Sequence, residues 1–389
     1  TENQHFLVTP TAEGAFLAVW TTATGEAMPD QQVVVKRSTD RGRTWTDMQR
    51  IAPEAGRPEG QIASWGFPIV VPHSGRIYLF WSQNAGAVDT RADLTADLAW
   101  RWSDDDGRTW SDRTEIRPFP KSAAPDPQPE AQENWVVYQA PVITRRGEVM
   151  VGYGRFAPGA AKQYLFDHGC ECRFLRFDNI LSEQDPTKLS FSVFPENEAG
   201  LQVPWPEKPH ISCAQEPTIH DLSDGRMICV IRTATGFIYF ALSGDGGRTW
   251  DEPRPLRFAP DGPKMQQPVC PCPLYKLADG RFILIFHNND GTIHGGPGPC
   301  GSSDTSRWPA YLAVGREIKH PDHPIMFTRP RLLVDNGGLA DGLDRTEIAT
   351  YTSLFEHEGE VYFWYPDHKH YLLGKVLSPA LISDAELPR

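Results

Sequence analysis

The sequence lacks any apolar run approaching the roughly 18 residues that a membrane-spanning helix needs. Apolar runs such as residues 282–286 are only as long as a β-strand. Nor does any segment show a convincing long helical pattern with a period of 3.6 residues. We therefore expect neither a membrane span nor a helical fold.

Positive charge is also in short supply. The chain has 38 Lys and Arg against 50 Asp and Glu, which gives a net charge of −12. Nucleic acids and anionic membranes are bound through clustered cations, so this balance argues against both as partners. An anionic small ligand held by a few local arginines remains compatible with it.

Cysteine is scarce as well, with seven residues among 389. So few thiols, in odd number, exclude a scaffold held together by disulfides. Cys170 and Cys172 follow His168, and Cys270 and Cys272 form a second close pair. We expect buried free thiols here. The alternative is a zinc site, which would need four such ligands to converge.

The sequence begins Thr-Glu-Asn-Gln, without a methionine and without a basic and apolar leader. This start is typical of a mature or trimmed chain. It favours a secreted or periplasmic protein whose export signal has been removed.

What the sequence does have is repetition. The pattern Ser-x-Asp-x-Gly-x-Thr-Trp occurs at residues 38–45, 103–110 and 243–250. Its Ser and Asp side chains can accept hydrogen bonds from nearby backbone amides, and its glycine permits a positive φ. Each copy therefore predicts a tight turn that its tryptophan packs onto the neighbouring core.

Paired strand-like runs, each joined by a short turn that contains glycine, recur six times. They lie at residues 6–20, 66–81, 138–155, 216–232, 272–287 and 351–365. Units of this kind bury their faces only against one another, which predicts an all-β fold: a six-bladed β-propeller in a single domain, residues 1–389. The expected blades are roughly 1–55, 60–115, 133–200, 210–258, 265–335 and 345–389.

The three octapeptides are Asp-boxes, and the chain resembles the sialidase (neuraminidase) superfamily of propellers. Glu216-Pro217 followed by Arg232 looks like that family's Glu-Pro and arginine, and Tyr351-Thr352-Ser353-Leu354 looks like the setting of its nucleophilic tyrosine. The resemblance implies that Tyr351 is the nucleophile and that Glu216 removes its proton. Arg232 would then bind the carboxylate of the substrate.

Two further positions are carried over from the family. Asp30, ahead of the first Asp-box, is the candidate acid, and Arg307 is the candidate for a second carboxylate-binding arginine. Residues 302–308 also fit a degenerate Asp-box, which would make Arg307 a turn residue. The family's first arginine is missing, because Val8 occupies its place.

Four other residues are candidates for substrate binding. His287 ends the fifth hairpin where Arg232 ends the fourth, and could hold a sugar hydroxyl or accept a proton. Tyr138 and Arg155 occupy the corresponding places one blade before Glu216 and Arg232. Trp65 could stack on a sugar face. Each of the four could equally belong to the core.

The resemblance implies a carbohydrate-active enzyme, most simply an exo-acting glycoside hydrolase of the sialidase type with an acidic sugar as substrate. One alternative is a lyase of a uronate-containing polysaccharide, with His287 or Tyr138 as the base. The other is a propeller that binds glycans without catalysis. No cofactor is expected, although an ion on the propeller axis is compatible with the fold.

Overall fold

The computed structural model describes residues 2–54, 61–86, 91–123, 130, 132–157, 169–196, 198–296, 298, 306–338 and 346–387. The chain divides into two compact units, Thr1–Gly200 and Leu201–Arg389. No helix in the described part of the chain is long and apolar enough to cross a membrane.

Unit 1 contains three antiparallel sheets, each built mainly from consecutive strands. The first sheet is β1 (Glu2–Pro10), β2 (Phe16–Ala23), β3 (Gln32–Ser38) and β4 (Gln49–Ala52). The second is β5 (Ala63–Val70), β6 (Ile77–Gln83), β7 (Asp97–Ser103) and β8 (Glu115–Arg117). The third is β9 (Trp135–Val136), β10 (Val142–Ile143), β11 (Val149–Phe156), β12 (Cys170–Phe177) and β13 (Phe191–Phe194).

Unit 2 contains three more such sheets and a small hairpin. The hairpin is β14 (Pro204–Trp205) and β15 (Lys208–Ser212), and the fourth sheet is β16 (Gln215–Asp221), β17 (Met227–Arg232), β18 (Tyr239–Ser243) and β19 (Arg254–Pro255). The fifth is β20 (Leu274–Lys276), β21 (Phe282–Phe286), β22 (Ala310–Glu317), β23 (Ile325–Phe327) and β24 (Arg331–Val334). The sixth is β25 (Ser353–His357), β26 (Glu360–Asp367) and β27 (Tyr371–Leu377).

Three sheets in each unit make the six blades of a β-propeller, so the predicted fold class is confirmed. The only helical segments among the described residues are two single turns of 3₁₀ helix, Pro186–Lys188 and Ile293–Gly295. The hydrophobic clusters lie between neighbouring sheets: Phe80 and Tyr153 share one in unit 1, and Val230 and Leu284 share one in unit 2. Within each unit, neighbouring sheets therefore bury their faces against one another, as expected of blades.

The octapeptides form the predicted turns. In the first copy, Ser38 Oγ accepts from Gly42 N at 2.8 Å, and Asp40 Oδ1 accepts from Thr44 N at 2.8 Å. Gly42 has a φ of 82°, and Trp45 Nε1 donates to its carbonyl at 3.1 Å. The hydrogen bonds from Thr44 lower the pKa of Asp40 to about 2. These side chains are committed to the turn.

The first strand of several blades contains a bulge that carries a residue with positive φ. The pairing register shifts between Gln4 and Leu7, between Ser64 and Phe67, and between Gln215 and Thr218. At these bulges His5, Trp65 and Glu216 have φ values of 57°, 57° and 41°. A bulge redirects the side chain that it carries, so the same device serves different residues in different blades.

Candidate active site

Glu216 and Arg232 are brought together by one hairpin. Gln215 pairs with Arg232 across β16 and β17, next to the bulge that holds Glu216. Arg232 Nη1 donates to Glu216 Oε2 at 2.6 Å, across a sequence separation of 16 residues. Local folding alone therefore places a carboxylate against a guanidinium.

Tyr351 joins this pair from a distant part of unit 2. Its hydroxyl donates to Glu216 Oε1 at 3.2 Å and accepts from Arg232 Nη1 at 3.4 Å. Tyr351, Glu216 and Arg232 are 5%, 4% and 8% exposed. A phenol, a carboxylate and a guanidinium thus meet within hydrogen-bond distance in a largely desolvated environment.

Arg307 lies beside Arg232. The carbonyl oxygen of Val269 accepts from Arg307 Nη2 at 2.7 Å and from Arg232 Nη2 at 3.3 Å. Among the described residues, neither Nε atom has a hydrogen-bond partner, although both are buried. Residues 301–305, and with them most of the alternative Asp-box at 302–308, lie outside the described residues.

Both arginines are permanent cations. Burial alone lowers the pKa of Arg232, but the charges of Glu216 and Tyr351 outweigh it, and the pKa is raised. For Arg307 burial again acts downward, while Cys270 and Glu347 raise the pKa above its ordinary value. Two adjacent guanidinium groups are well suited to holding a planar carboxylate.

Two charged residues of this network were missed from the sequence. Glu347 Oε2 accepts from Arg307 Nη1 at 3.0 Å, and Glu347 Oε1 lies 3.8 Å from Lys369 Nζ. The Lys369 ammonium lies 5.7 Å from the centre of the Tyr351 ring. Neither residue belongs to a repeated motif. The closeness of Glu347 to Tyr351 in sequence was the only available signal.

His287 lies near this cluster in a structural setting. Its Nε2 is 2.9 Å from the carbonyl oxygen of Ile348, and its Nδ1 is 3.5 Å from the Gln267 amide nitrogen. Burial lowers the pKa of His287 to about 4. The ring is therefore neutral near pH 7, with Nε2 protonated and donating, and neither nitrogen is open to a substrate.

The described cysteines are buried free thiols. They are Cys170, Cys172, Cys213, Cys229, Cys270 and Cys272. Burial raises the pKa of Cys270 to about 12, although Arg307 and Arg232 act in the opposite direction. No cluster of three or more His, Cys, Asp or Glu in the described ranges could hold a metal, and His168 lies outside those ranges.

The other predicted residues lie in unit 1. Asp30 is exposed between β2 and β3, where its two oxygens accept from Thr24 N at 2.9 Å and Thr24 Oγ1 at 3.0 Å. Val8 is buried in β1 opposite Ala18. Trp65 is buried in its bulge with its ring centre 5.5 Å from that of His5.

Tyr138 and Arg155 are buried in unit 1 as well. Arg155 Nε donates to Glu133 Oε1 at 2.9 Å, and its Nη1 lies 3.8 Å from Glu171 Oε1. Arg173 Nη1 lies 3.6 Å from the same Glu171 oxygen. Arg155 therefore belongs to a second buried ionic cluster, within its own unit.

The family described as BNR repeat-like domain matches residues 14–338. A search of curated proteins found no match to the sequence.

Solved structures of sialidases have a similar fold. A Hadza microbial sialidase is similar with a TM-score of 0.65 and 16% identity, over 96% of this chain and 65% of the other. A leech intramolecular trans-sialidase is similar with a TM-score of 0.64 and 15% identity, over 98% of this chain and 68% of the other. An intramolecular trans-sialidase from Ruminococcus gnavus is similar with a TM-score of 0.60 and 14% identity, over 96% of this chain and 93% of the other. This chain thus spans less than two thirds of the Hadza microbial enzyme, and the similarity shows a shared fold.

Proposed function

The chain belongs to the BNR repeat-like domain family, and from that membership and the buried phenol of Tyr351 we propose a glycoside hydrolase of the sialidase type. Its substrate would be a terminal acidic sugar that carries a carboxylate at the anomeric carbon. The observation that carries the proposal is the hydrogen bond of 3.2 Å from the Tyr351 hydroxyl to Glu216 Oε1.

The chemistry of such a sugar favours a phenol as nucleophile. A carboxylate on the anomeric carbon repels an anionic attacking group, whereas a neutral hydroxyl approaches without that penalty. Glu216 takes the phenolic proton as the Tyr351 oxygen forms a bond to the anomeric carbon and the glycosidic carbon–oxygen bond breaks. Water then attacks the anomeric carbon, cleaves the tyrosyl–sugar bond and gives one proton to the acid that had protonated the leaving oxygen, while Glu216 returns its proton to the phenolic oxygen.

Arg232 and Arg307 would bind the substrate carboxylate. Each has a buried Nε without a partner among the described residues, and the two share the Val269 carbonyl. A guanidinium pair oriented in this way fixes both the position and the plane of a carboxylate. Val8 leaves this clamp without the third arginine of the sialidase pattern.

The leaving oxygen needs a proton from a further acid. Asp30 is the residue that the resemblance to sialidases offers for this step, and it remains our proposal. Trp65, Tyr138 and Arg155 are buried, and Arg155 is paired with Glu133, so the proposal gives these three residues no contact with the sugar.

The geometry gives less support to a polysaccharide lyase. That reaction needs a base that reaches a sugar proton, and the candidates were His287 and Tyr138. Both nitrogens of His287 face groups of the chain, and Tyr138 has no exposed surface. The third candidate is a protein that binds glycans without turnover. Such a protein would not need a phenol hydrogen-bonded to a carboxylate.

One assay separates the three functions. The protein is incubated with a methylumbelliferyl sialoside, with neutral methylumbelliferyl glycosides and with uronate polymers. We expect fluorescence from the sialoside above that from the neutral sugars. Ultraviolet absorbance of an unsaturated uronate would replace the hydrolase with a lyase, and sugar binding without any product would leave only a binding protein.

A further inference from the structure

Lys369 lies against the face of the proposed nucleophile. Its Nζ is 5.7 Å from the centre of the Tyr351 ring, and its side chain is only 4% exposed. A cation over an aromatic face interacts most strongly where water is excluded. The hydroxyl of the same ring contacts Glu216 and Arg232.

The turn that carries Lys369 is fastened to the segment before Tyr351. His368 N donates to the carbonyl oxygen of Glu347 at 2.8 Å, and the Glu347 side chain pairs with Lys369 at 3.8 Å. One residue therefore holds this turn through both its backbone and its carboxylate. Because Glu347 also binds Arg307, it connects the lysine with the carboxylate clamp.

Both segments have strained backbone. His368 and Lys369 have φ values of 56° and 51°, and Ala349 and Tyr351 have values of 55° and 59°. All four are residues other than glycine in the left-handed region, which costs free energy and recurs at functional sites. Two strained segments that lie against each other indicate that their geometry serves a purpose beyond packing.

We propose that Lys369, held by Glu347, is a positioning residue that favours ionisation of the Tyr351 phenol. This inference rests on the proposed function, in which the phenol gives its proton to Glu216. Loss of that proton leaves a negative charge shared between the phenolic oxygen and the ring. An ammonium over the ring stabilises this charge while Glu347 fixes where the ammonium lies.

The charged groups around Tyr351 come from several elements. Those recorded in the described residues are Glu216 in β16, Arg232 in β17, Arg307 ahead of β22 and Lys369 after β26. Arg232 contacts the oxygen and Lys369 the ring face. Removing Lys369 should therefore weaken phenolate formation without breaking the hydrogen bonds of the hydroxyl.

Lys276 provides a matched control in the same unit. Its Nζ lies 5.0 Å from the centre of the Phe282 ring and 3.2 Å from Glu317 Oε1, so it also has an aromatic face and a glutamate as neighbours. Lys276→Met removes a comparable lysine away from Tyr351. Any effect shared by Lys276→Met and Lys369→Met reflects stability alone.

The first test needs no turnover. The tyrosinate absorbance is followed as pH rises, and the signal of Tyr351 is isolated by subtracting the titration of a Tyr351→Phe variant. We expect Lys369→Met to move this signal upward by about one pH unit, and Lys369→Arg to restore it. Lys276→Met should leave it in place. An unmoved signal in Lys369→Met overturns the proposal, whether or not the protein is a hydrolase.

The second test separates this role from substrate binding. With a sialoside, Lys369→Met should lower kcat by about 10-fold, corresponding to that shift, while KM changes less than about threefold. The acid limb of the pH profile should move to higher pH. If Lys369→Met does not fold, Lys369→Gln takes its place. If Lys369→Met raises KM, leaves kcat unchanged and leaves the tyrosinate signal in place, the proposal is contradicted. If the wild type shows no turnover of the sialoside but Lys369→Met still moves the tyrosinate signal, only the proposed hydrolase function is contradicted.

Discussion

The two units each bury a cluster of two arginines and two glutamates. In unit 1 these are Arg155, Arg173, Glu133 and Glu171. In unit 2 they are Arg232, Arg307, Glu216 and Glu347. The two clusters contain the same residue types but contact different groups. Comparing those contacts shows which kind of buried arginine–glutamate pair indicates an active site.

The unit 1 cluster fastens the chain. Arg173 Nη1 and Nη2 donate to the carbonyl oxygens of Glu198 and Pro195 at 2.7 and 2.6 Å. The two oxygens of Glu171 accept from Ser122 Oγ at 2.7 Å and from Gly200 N at 2.6 Å. These charged side chains hold loops against the strands through their hydrogen bonds.

The unit 2 cluster instead surrounds a reactive group. Glu216 contacts a phenol with one oxygen and a guanidinium with the other. Glu216 and the Tyr351 that it contacts both have left-handed backbone, with φ values of 41° and 59°, whereas none of the four residues of the unit 1 cluster does. A buried arginine–glutamate pair alone is therefore weak evidence for an active site. A phenol that is hydrogen-bonded to such a pair, on residues with left-handed backbone, is much stronger evidence.

The largest expected difference between the clusters concerns their tyrosines. Tyr351→Phe removes the proposed nucleophilic oxygen and should lower kcat/KM on a sialoside by at least about 10³-fold. In unit 1 the charge of Arg173 acts on Tyr153, and Tyr153→Phe should leave kcat/KM within about twofold. Full activity of Tyr351→Phe would remove the distinction between the two clusters.

The glutamates should differ next. Glu216→Gln removes the proposed base and should lower kcat by about 10²–10⁴-fold, and it also weakens the buried pair with Arg232, so some loss of stability accompanies the loss of turnover. Glu171→Gln should preserve kcat but lower the free energy of unfolding by about 3 kcal/mol, because it leaves buried partners incompletely paired. Kinetics and thermal unfolding of both variants measure this. The reverse pattern would assign the chemistry to unit 1.

A smaller and more selective effect is expected at the arginines. Arg307→Lys keeps the charge but loses the planar fork, so KM for a carboxylated sugar should rise by about 10–100-fold with little change in kcat. Arg173→Lys should alter stability alone. Equal KM values for Arg307→Lys and the wild type would exclude Arg307 from the clamp.

Acid sensitivity should appear in both units, so it distinguishes them least. Burial lowers the pKa of His5 in unit 1 to about 3 and that of His287 in unit 2 to about 4. An unfolded histidine titrates near 6.5, so between that pH and the folded pKa only the unfolded chain binds the proton. Stability should be full above pH ~6.5 and fall toward about pH 4 for His287 and about pH 3 for His5.

Urea unfolding at several pH values measures this loss. Each histidine contributes a slope of at most about 1.4 kcal/mol per pH unit. His5→Gln and His287→Gln should each flatten the dependence. An unchanged slope in either variant would mean that the histidine is protonated in the folded chain.

The sequence was most informative where contacts are local. The Ser-x-Asp-x-Gly-x-Thr-Trp turns and the hairpins are complete within short segments, so they predicted six blades. The pair Glu216 and Arg232 is likewise set by one hairpin. Tyr351 was found only through its Tyr-Thr-Ser-Leu setting, because nothing local indicates that its hydroxyl reaches Glu216.

What the sequence could not reveal depends on distant packing. Glu347 contacts Arg307 across 40 residues, and no repeat marks either Glu347 or Lys369. His287 resembles a catalytic histidine by position, but its role is set by Ile348 and Gln267, which reach it from other segments. Arg155 was matched to Arg232 only by its position in the repeat, and that position does not predict its glutamate partners in unit 1.

The central claim is that the Tyr351 oxygen attacks the sugar. It is tested most directly by treating the protein with a fluorinated sialosyl fluoride, which slows hydrolysis of the tyrosyl–sugar bond, followed by peptide mass spectrometry. We predict a sugar adduct on Tyr351 that is absent from Tyr351→Phe and accumulates less in Glu216→Gln. An adduct on another residue, or sialoside hydrolysis without any adduct on Tyr351, would contradict the account.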